Sequence, residues 1–110
     1  MFRYLVMALR TPQFQPSVIE AHQAFLERLR QSGNLEMSGP FTDKTGGAYL
    51  LRAANFEEAK ALAFNDPLHI TKSSVVTVYE WNATIASPIF RSRGGLDVPS
   101  GFAKNGDAIG

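Results

Sequence analysis

The chain has 110 residues, of which 45% are apolar and 19% charged, so it has the size and composition of one globular domain. Its formal net charge of +1 gives no overall attraction to nucleic acid or to a membrane, and no apolar run is long enough to span a bilayer. The lack of cysteine excludes disulfides, thiolate metal ligands and a cysteine nucleophile, and without a recognisable signal peptide we expect a cytoplasmic protein.

Residues 2–10 predict the first β-strand, because aromatic and branched residues dominate until Thr11 and Pro12. Both alternating faces of this strand are mostly apolar, which is typical of a strand that is covered on both sides. A helix is predicted next, over residues 17–32. It begins with a capping box at Ser17 and carries one apolar stripe, formed by Val18, His22, Phe25, Leu26 and Leu29.

The middle of the chain predicts a hairpin. Residues 34–42 form its first strand, interrupted at Gly39-Pro40, and residues 47–53 form its second strand. The loop between them contains glycine, which supplies the positive φ that tight turns require.

A second capping box at Asn55-Phe56-Glu57-Glu58 begins another helix. Asp66 precedes a proline and is expected to cap a short third helix. Residues 75–84 are the last predicted strand. The domain is therefore expected to span residues 1–84, followed by an extended tail over residues 85–110 that has no periodicity.

This order of elements predicts an α+β fold, the ferredoxin-like βαββαβ sandwich with a four-stranded antiparallel sheet. Both helices cover one face of such a sheet. The other face is apolar in the first strand, and Tyr79 and Trp81 of the last strand point the same way. A second copy packed sheet against sheet buries that face, so we expect a homodimer or a larger homo-oligomer.

His22 is the first candidate for chemistry, because it lies within the apolar stripe and therefore faces the sheet. One interpretation is a general acid or base in a pocket between helix and sheet. The other is a core histidine that bonds a backbone carbonyl, and the stripe alone favours this second interpretation.

Three other candidates also have structural alternatives. Asp66 suits a helix cap, but it can also orient the imidazole of His22. Ser38-Gly39-Pro40 predicts a bulge, or alternatively a backbone opening where Ser38 offers a hydroxyl to a ligand. His69 follows Asp66 by one helical turn, and a surface position explains it better than a metal site shared with His22 and Asp66.

Several common functional motifs are missing. No glycine-rich motif follows a strand into a helix, so neither a dinucleotide site nor a P-loop is indicated. The third strand lacks the aromatic and basic pattern of RNA-binding ferredoxin-like domains. We therefore expect no cofactor, no metal, no nucleic-acid partner and no membrane partner.

Taken in order, these motifs resemble the YCII-related (YciI-like) family over residues 3–83. The matching features are the initial strand, the helix AHQAFLERLRQSGNL with its central histidine, the Ser38-Gly39-Pro40 break, the helix FEEAKALA, Asn65-Asp66-Pro67 and the closing strand. The resemblance implies a dimeric α+β barrel and an active site that pairs His22 with Asp66. The chain departs from the family at His69, where a small or apolar residue is usual, and in its long tail.

The family includes an enzyme that removes HCl from a chlorinated hydroxyquinol, and its superfamily includes muconolactone isomerases and cofactor-free monooxygenases. The resemblance therefore favours a catalytic His22. Our leading hypothesis is a cofactor-independent lyase or isomerase for a small organic substrate, for example in aromatic-compound catabolism. Its expected catalytic pair is His22 and Asp66, and its expected substrate contacts are Ser38, Gly39, Pro40 and His69. The alternatives are a non-catalytic dimeric ligand-binding or accessory protein and a cofactor-free monooxygenase.

Overall fold

Four β-strands and three α-helices follow one another along residues 1–88, the part of the chain that this computed structural model describes. In chain order they are β1 (Phe2–Arg10), α1 (Val18–Gln31), β2 (Leu35–Pro40), β3 (Gly46–Leu51), α2 (Phe56–Ala63), α3 (Pro67–Ile70) and β4 (Ser74–Asn82). Every predicted element is present. Residues 89–110 of the predicted tail lie outside the described residues, so the domain boundary at residue 84 stays a prediction.

The four strands form one antiparallel sheet in the order β2-β3-β1-β4. β1 lies between β3 and β4, so that Leu5 is opposite both Leu50 and Tyr79. The element order and the antiparallel sheet are those of the ferredoxin-like fold, and the predicted fold class is confirmed. None of the helices within residues 1–88 has the length and apolar character needed to cross a membrane.

The start of α1 differs from the prediction. Ser17 makes no capping bond with its side chain, so the predicted capping box is wrong. The chain enters α1 through a turn, in which the N–H groups of Val18 and Ile19 donate to the carbonyl groups of Gln15 and Pro16. These carbonyl groups satisfy the first helical donors, and the Ser17 hydroxyl is not required.

The start of α2 has the predicted cap at Asn55. The side chain of Asn55 accepts a hydrogen bond from the N–H group of Glu58 at 2.8 Å. Glu58 reaches back to the N–H group of Ala54 at 3.4 Å, one residue earlier than the ideal capping box.

The bulge predicted at Ser38-Gly39-Pro40 lies elsewhere in β2. These three residues pair in register with β3, and the register shifts between Leu35 and Met37. Pro40 fits because β2 is an edge strand of the sheet, where a missing N–H group is tolerated. As a result, Ser38 lies opposite Tyr49, and the two side chains share one face of the sheet.

The helices pack on only one of the two faces of the sheet, as predicted. All three helices contribute to the core over one face, where Tyr4, Val6 and Ala8 of β1 are buried. The other face carries large apolar side chains that are 42–59% exposed, namely Leu9, Val75, Tyr79 and Trp81. These are the side chains that the predicted homodimer would bury, and the dimer stays a prediction.

Candidate active site

A cavity of about 60 Å³ opens between α1 and the sheet, at the sheet end where β1 stops and β3 begins. Its apolar lining includes Ile19 and Leu26 of α1, Ala8 of β1 and Leu68 of α3. One buried water requires roughly 10–15 Å³, so the cavity has room for several waters.

His22 lines this cavity from α1. Its place in the apolar stripe turns it toward the sheet, and the side chain is buried. Its Nδ1 lies 3.0 Å from Oδ1 of Asp66. In the neutral imidazole, a proton on Nδ1 completes this hydrogen bond, and Nε2 is then the nitrogen that can accept a proton.

Asp66 is fully buried between α2 and α3. Its Oδ1 accepts the N–H group of Leu68 at 2.9 Å as well as His22 Nδ1, so it caps α3 and contacts the imidazole together. Its Oδ2 accepts the hydroxyl of Tyr49 at 3.0 Å. A buried carboxylate is costly unless donors surround it, and these three donors meet that requirement. The structure thus joins the two alternatives for Asp66, helix cap and imidazole partner.

Tyr49 of β3 is the third member of the network, and we did not predict this role. Burial, with the adjacent charge of Asp66 and the hydrogen bond to it as further causes, raises the pKa of Tyr49 well above its usual range. The phenol therefore stays protonated and acts only as a donor toward Asp66. Strand alternation indicates which face Tyr49 occupies, but not that its hydroxyl meets a carboxylate 17 residues later.

Ser38, Gly39 and Pro40 also line the cavity, from the edge strand β2. Because Ser38 shares the helix-covered face with Tyr49, its side chain is directed to the side of the sheet that holds His22. The structure therefore brings together five of the six predicted site residues: His22, Asp66, Ser38, Gly39 and Pro40.

His69 is placed apart from this cavity. Its ring stacks on Phe64, with centroids 4.4 Å apart, and it lines a separate surface groove together with Lys72 and Val75. Its predicted substrate contact stays a prediction that the cavity does not support. Within residues 1–88, no three His, Asp or Glu side chains are grouped as metal ligands.

Known proteins share this fold and this sequence pattern. The family model described as the YCII-related domain matches residues 2–82. Uncharacterized protein YjpA of Bacillus subtilis (strain 168) is 42% identical over 81 residues, which cover 74% of this chain and 95% of YjpA. Among solved structures, the 5-chloro-2-hydroxyhydroquinone dehydrochlorinase TftG of Burkholderia phenoliruptrix AC1100, in complex with 2,5-dihydroxybenzoquinone, matches with a TM-score of 0.58.

The match to TftG covers 73% of this chain and 93% of TftG at 22% identity, and at that identity it shows a shared fold. The family model and YjpA both cover most of this chain at the level of sequence. The protein is therefore a member of the YCII-related family.

Proposed function

We propose that the protein is a small cofactor-independent enzyme, a lyase or isomerase that moves a proton on a cyclic organic substrate. The observation that supports this most is the buried contact of 3.0 Å between His22 Nδ1 and Asp66 Oδ1, in which the same imidazole lines a cavity. A histidine with a purely structural role in the core needs a hydrogen-bond partner, but it does not need to line a cavity. An imidazole with a carboxylate on one side and a cavity on the other is suited to general acid–base catalysis.

In the proposed reaction, Nε2 of His22 accepts a proton from a substrate hydroxyl or from a carbon next to a carbonyl group. The electron pair left behind moves into the ring system. It takes up a proton at another carbon, which is an isomerisation. Where that carbon carries chlorine, loss of a second hydroxyl proton then expels chloride, so that HCl is lost in total and a quinone is formed. Asp66 keeps the imidazole oriented and stabilises the imidazolium ion between these steps.

Ser38 and the backbone around Gly39 are proposed to hold the substrate oxygen on which negative charge develops. Both line the cavity beside His22. Hydrogen-bond donors fixed in advance around such an oxygen lower the barrier, because they do not reorganise during the reaction.

The elimination reaction draws further support from TftG, which has the same fold and is a dehydrochlorinase. A role in aromatic-compound catabolism follows as part of the proposal. The cavity of about 60 Å³ is smaller than the roughly 150 Å³ that holds a benzene molecule, so we propose that it admits the reacting edge of a ring. The rest of the ligand is then bound at the cavity mouth.

We further propose that the protein is a homodimer that packs through the sheet face that no helix covers within residues 1–88. Burying the exposed apolar side chains of β1 and β4, such as Leu9 and Trp81, supplies the driving force for this association. The cytoplasmic location stays a prediction.

The proposal is tested by incubating the protein with hydroquinones that carry chlorine on the ring and with unsaturated lactones. Chloride release and ultraviolet absorbance report elimination and isomerisation respectively. We expect His22→Gln to slow turnover by about 10²-fold or more, the usual contribution of a general acid or base. Gln can still donate its amide group to Asp66, so the fold is retained, as circular dichroism would confirm.

Gln23→Ala is the matched control, because Gln23 is the next residue on α1 and is exposed to solvent. Its turnover should equal that of the wild type. Full activity in His22→Gln would contradict the mechanism. Ligand binding without any product would favour the non-catalytic ligand-binding protein, and oxygen uptake with a hydroquinone would favour the cofactor-free monooxygenase.

A further inference from the structure

Arg10 is a charged residue at the mouth of the cavity that the mechanism above does not use. It is the last residue of β1, and its position in the alternation places it on the helix-covered side, two residues after Ala8. Arg10 lines the same cavity as His22 and Ser38, yet its own side chain is exposed. The guanidinium group therefore lies where the cavity meets solvent.

The guanidinium group of Arg10 is held by an aromatic ring and not by a carboxylate. Its central carbon lies 4.2 Å from the ring centroid of Phe14, in a cation–π contact. Within residues 1–88, no carboxylate forms an ion pair with Arg10, whereas Arg3 and Arg30 are each paired with a glutamate. A cation–π contact does not use the guanidinium N–H groups as donors to a carboxylate, so these groups are able to bind an anion.

The other charged group of the site does not neutralise Arg10. Asp66 already accepts hydrogen bonds from His22, Leu68 and Tyr49, and it is fully buried behind the imidazole. The cavity thus has a proton acceptor on its inner side and a positive charge at its mouth. This arrangement suits a ligand that carries both an acidic hydrogen and an ionised oxygen.

We propose that Arg10 is the anion-binding residue of this site, and that the substrate is an organic anion. The ionised oxygen, on a carboxylate or on an ionised enol or quinol, is bound by the edge of the guanidinium group while the reacting edge of the molecule enters the cavity. Arginine binds such oxygens with charge-assisted, often paired, hydrogen bonds. This inference rests on the proposed function, because it names the substrate class of the same site.

The test is calorimetric binding of three single-ring compounds to the full-length protein under anaerobic conditions. 2,5-Dihydroxybenzoquinone is an ionised enol at neutral pH, 2,5-dihydroxybenzoate is a carboxylate, and hydroquinone is uncharged. We expect Arg10→Gln to weaken the binding of the anions by about 10- to 100-fold, since hydrogen bonds between charged groups contribute on that scale. Hydroquinone binding should change by less than about threefold, because it offers no charge to Arg10.

Two further variants separate charge from structure. Arg10→Lys keeps the positive charge and should retain part of the affinity for the anions. Arg28→Gln removes an exposed arginine of α1 that does not line the cavity, and it should bind all three compounds like the wild type. The anion that the wild type binds more tightly, and that loses affinity in Arg10→Gln, identifies which ionised oxygen the site takes.

Equal affinity of the wild type and Arg10→Gln for both anions would overturn the proposal. So would failure of the wild type to bind either anion at millimolar concentration, or an equal loss of hydroquinone binding in Arg10→Gln. None of these readouts requires turnover. Anion binding through Arg10 without product formation would support this inference and contradict the proposed reaction. Turnover that Arg10→Gln does not change would support the proposed reaction and contradict this inference.

Discussion

Replacing Tyr49 with phenylalanine removes one hydroxyl from the network and leaves the aromatic ring in place. In the folded protein this hydroxyl donates to Asp66 Oδ2 at 3.0 Å. Asp66 is fully buried, so water cannot replace the lost donor. A hydrogen bond to a charged group contributes about 1.5–3 kcal/mol, and we expect Tyr49→Phe to lower the free energy of unfolding by this amount.

Tyr4→Phe is the matched control for this prediction. Tyr4 is also a buried tyrosine on the helix-covered face, but its hydroxyl donates at 3.2 Å to Glu80, which is exposed to solvent. Water can hydrate Glu80 after the substitution. The expected loss of stability is therefore about 1 kcal/mol or less.

Urea unfolding measures both variants, followed by circular dichroism and by the fluorescence of Trp81, the single tryptophan of the chain. The slope of the free energy against urea should be unchanged, so that the midpoints report stability directly. If Tyr49→Phe proves as stable as Tyr4→Phe, Asp66 does not depend on its three donors, and our description of the network is wrong.

Three further predictions concern pH, assembly and backbone. Burial and the charge of Asp66 raise the pKa of Tyr49 in the folded state, so the unfolded chain loses this proton first. The free energy of unfolding, measured with urea, should therefore fall above about pH 10 by up to about 1.4 kcal/mol per pH unit, and less steeply in Tyr49→Phe. An identical alkaline slope in that variant would contradict the assignment. Tyr79→Lys places a charge on the sheet face that the proposed dimer buries, so it should halve the mass measured by light scattering. Gln23→Lys, on the solvent side of α1, should leave the mass unchanged. A dimeric Tyr79→Lys argues against packing through this face. Gly46→Ala should lower the thermal midpoint more than Gly33→Ala does. Both glycines have positive φ, but only at Gly46 does the added Cβ overlap a neighbouring carbonyl group. Equal decreases of the two thermal midpoints would contradict this prediction.

The fold was predictable because each element carries its own local signal. The apolar stripe of α1, the Asn55 cap of α2 and the aspartate–proline pair before α3 each depend on neighbouring residues only, and the structure contains all three. The Ser17 cap failed for a physical reason. The signature describes side chains that can cap a helix, but the carbonyl groups of the preceding turn compete for the same donors.

Long-range features of the site were only partly predictable. The stripe and the helix cap place His22 and Asp66 on facing elements, but their contact depends on how α1 and α3 pack. Tyr49 and Arg10 have ordinary positions in strands, and only the folded sheet shows that one meets Asp66 and the other reaches the cavity. For His69 the sequence gives only its spacing of one helical turn from Asp66, and the stacking of its ring on Phe64 depends on how α2 and α3 are placed. Its contact with a substrate stays a prediction.

The proposed mechanism requires that Asp66 hold His22 in one tautomer, with Nε2 left to exchange a proton in the cavity. The most direct measurement is nitrogen-15 NMR of the imidazole rings, since the chain contains only two histidines and His69, stacked on Phe64, serves as the internal reference. Neutral His22 should carry its proton on Nδ1, and Asp66→Asn should change the His22 spectrum while leaving that of His69 unaltered. A His22 proton on Nε2, or a His22 spectrum that does not respond to Asp66→Asn, would contradict this mechanism.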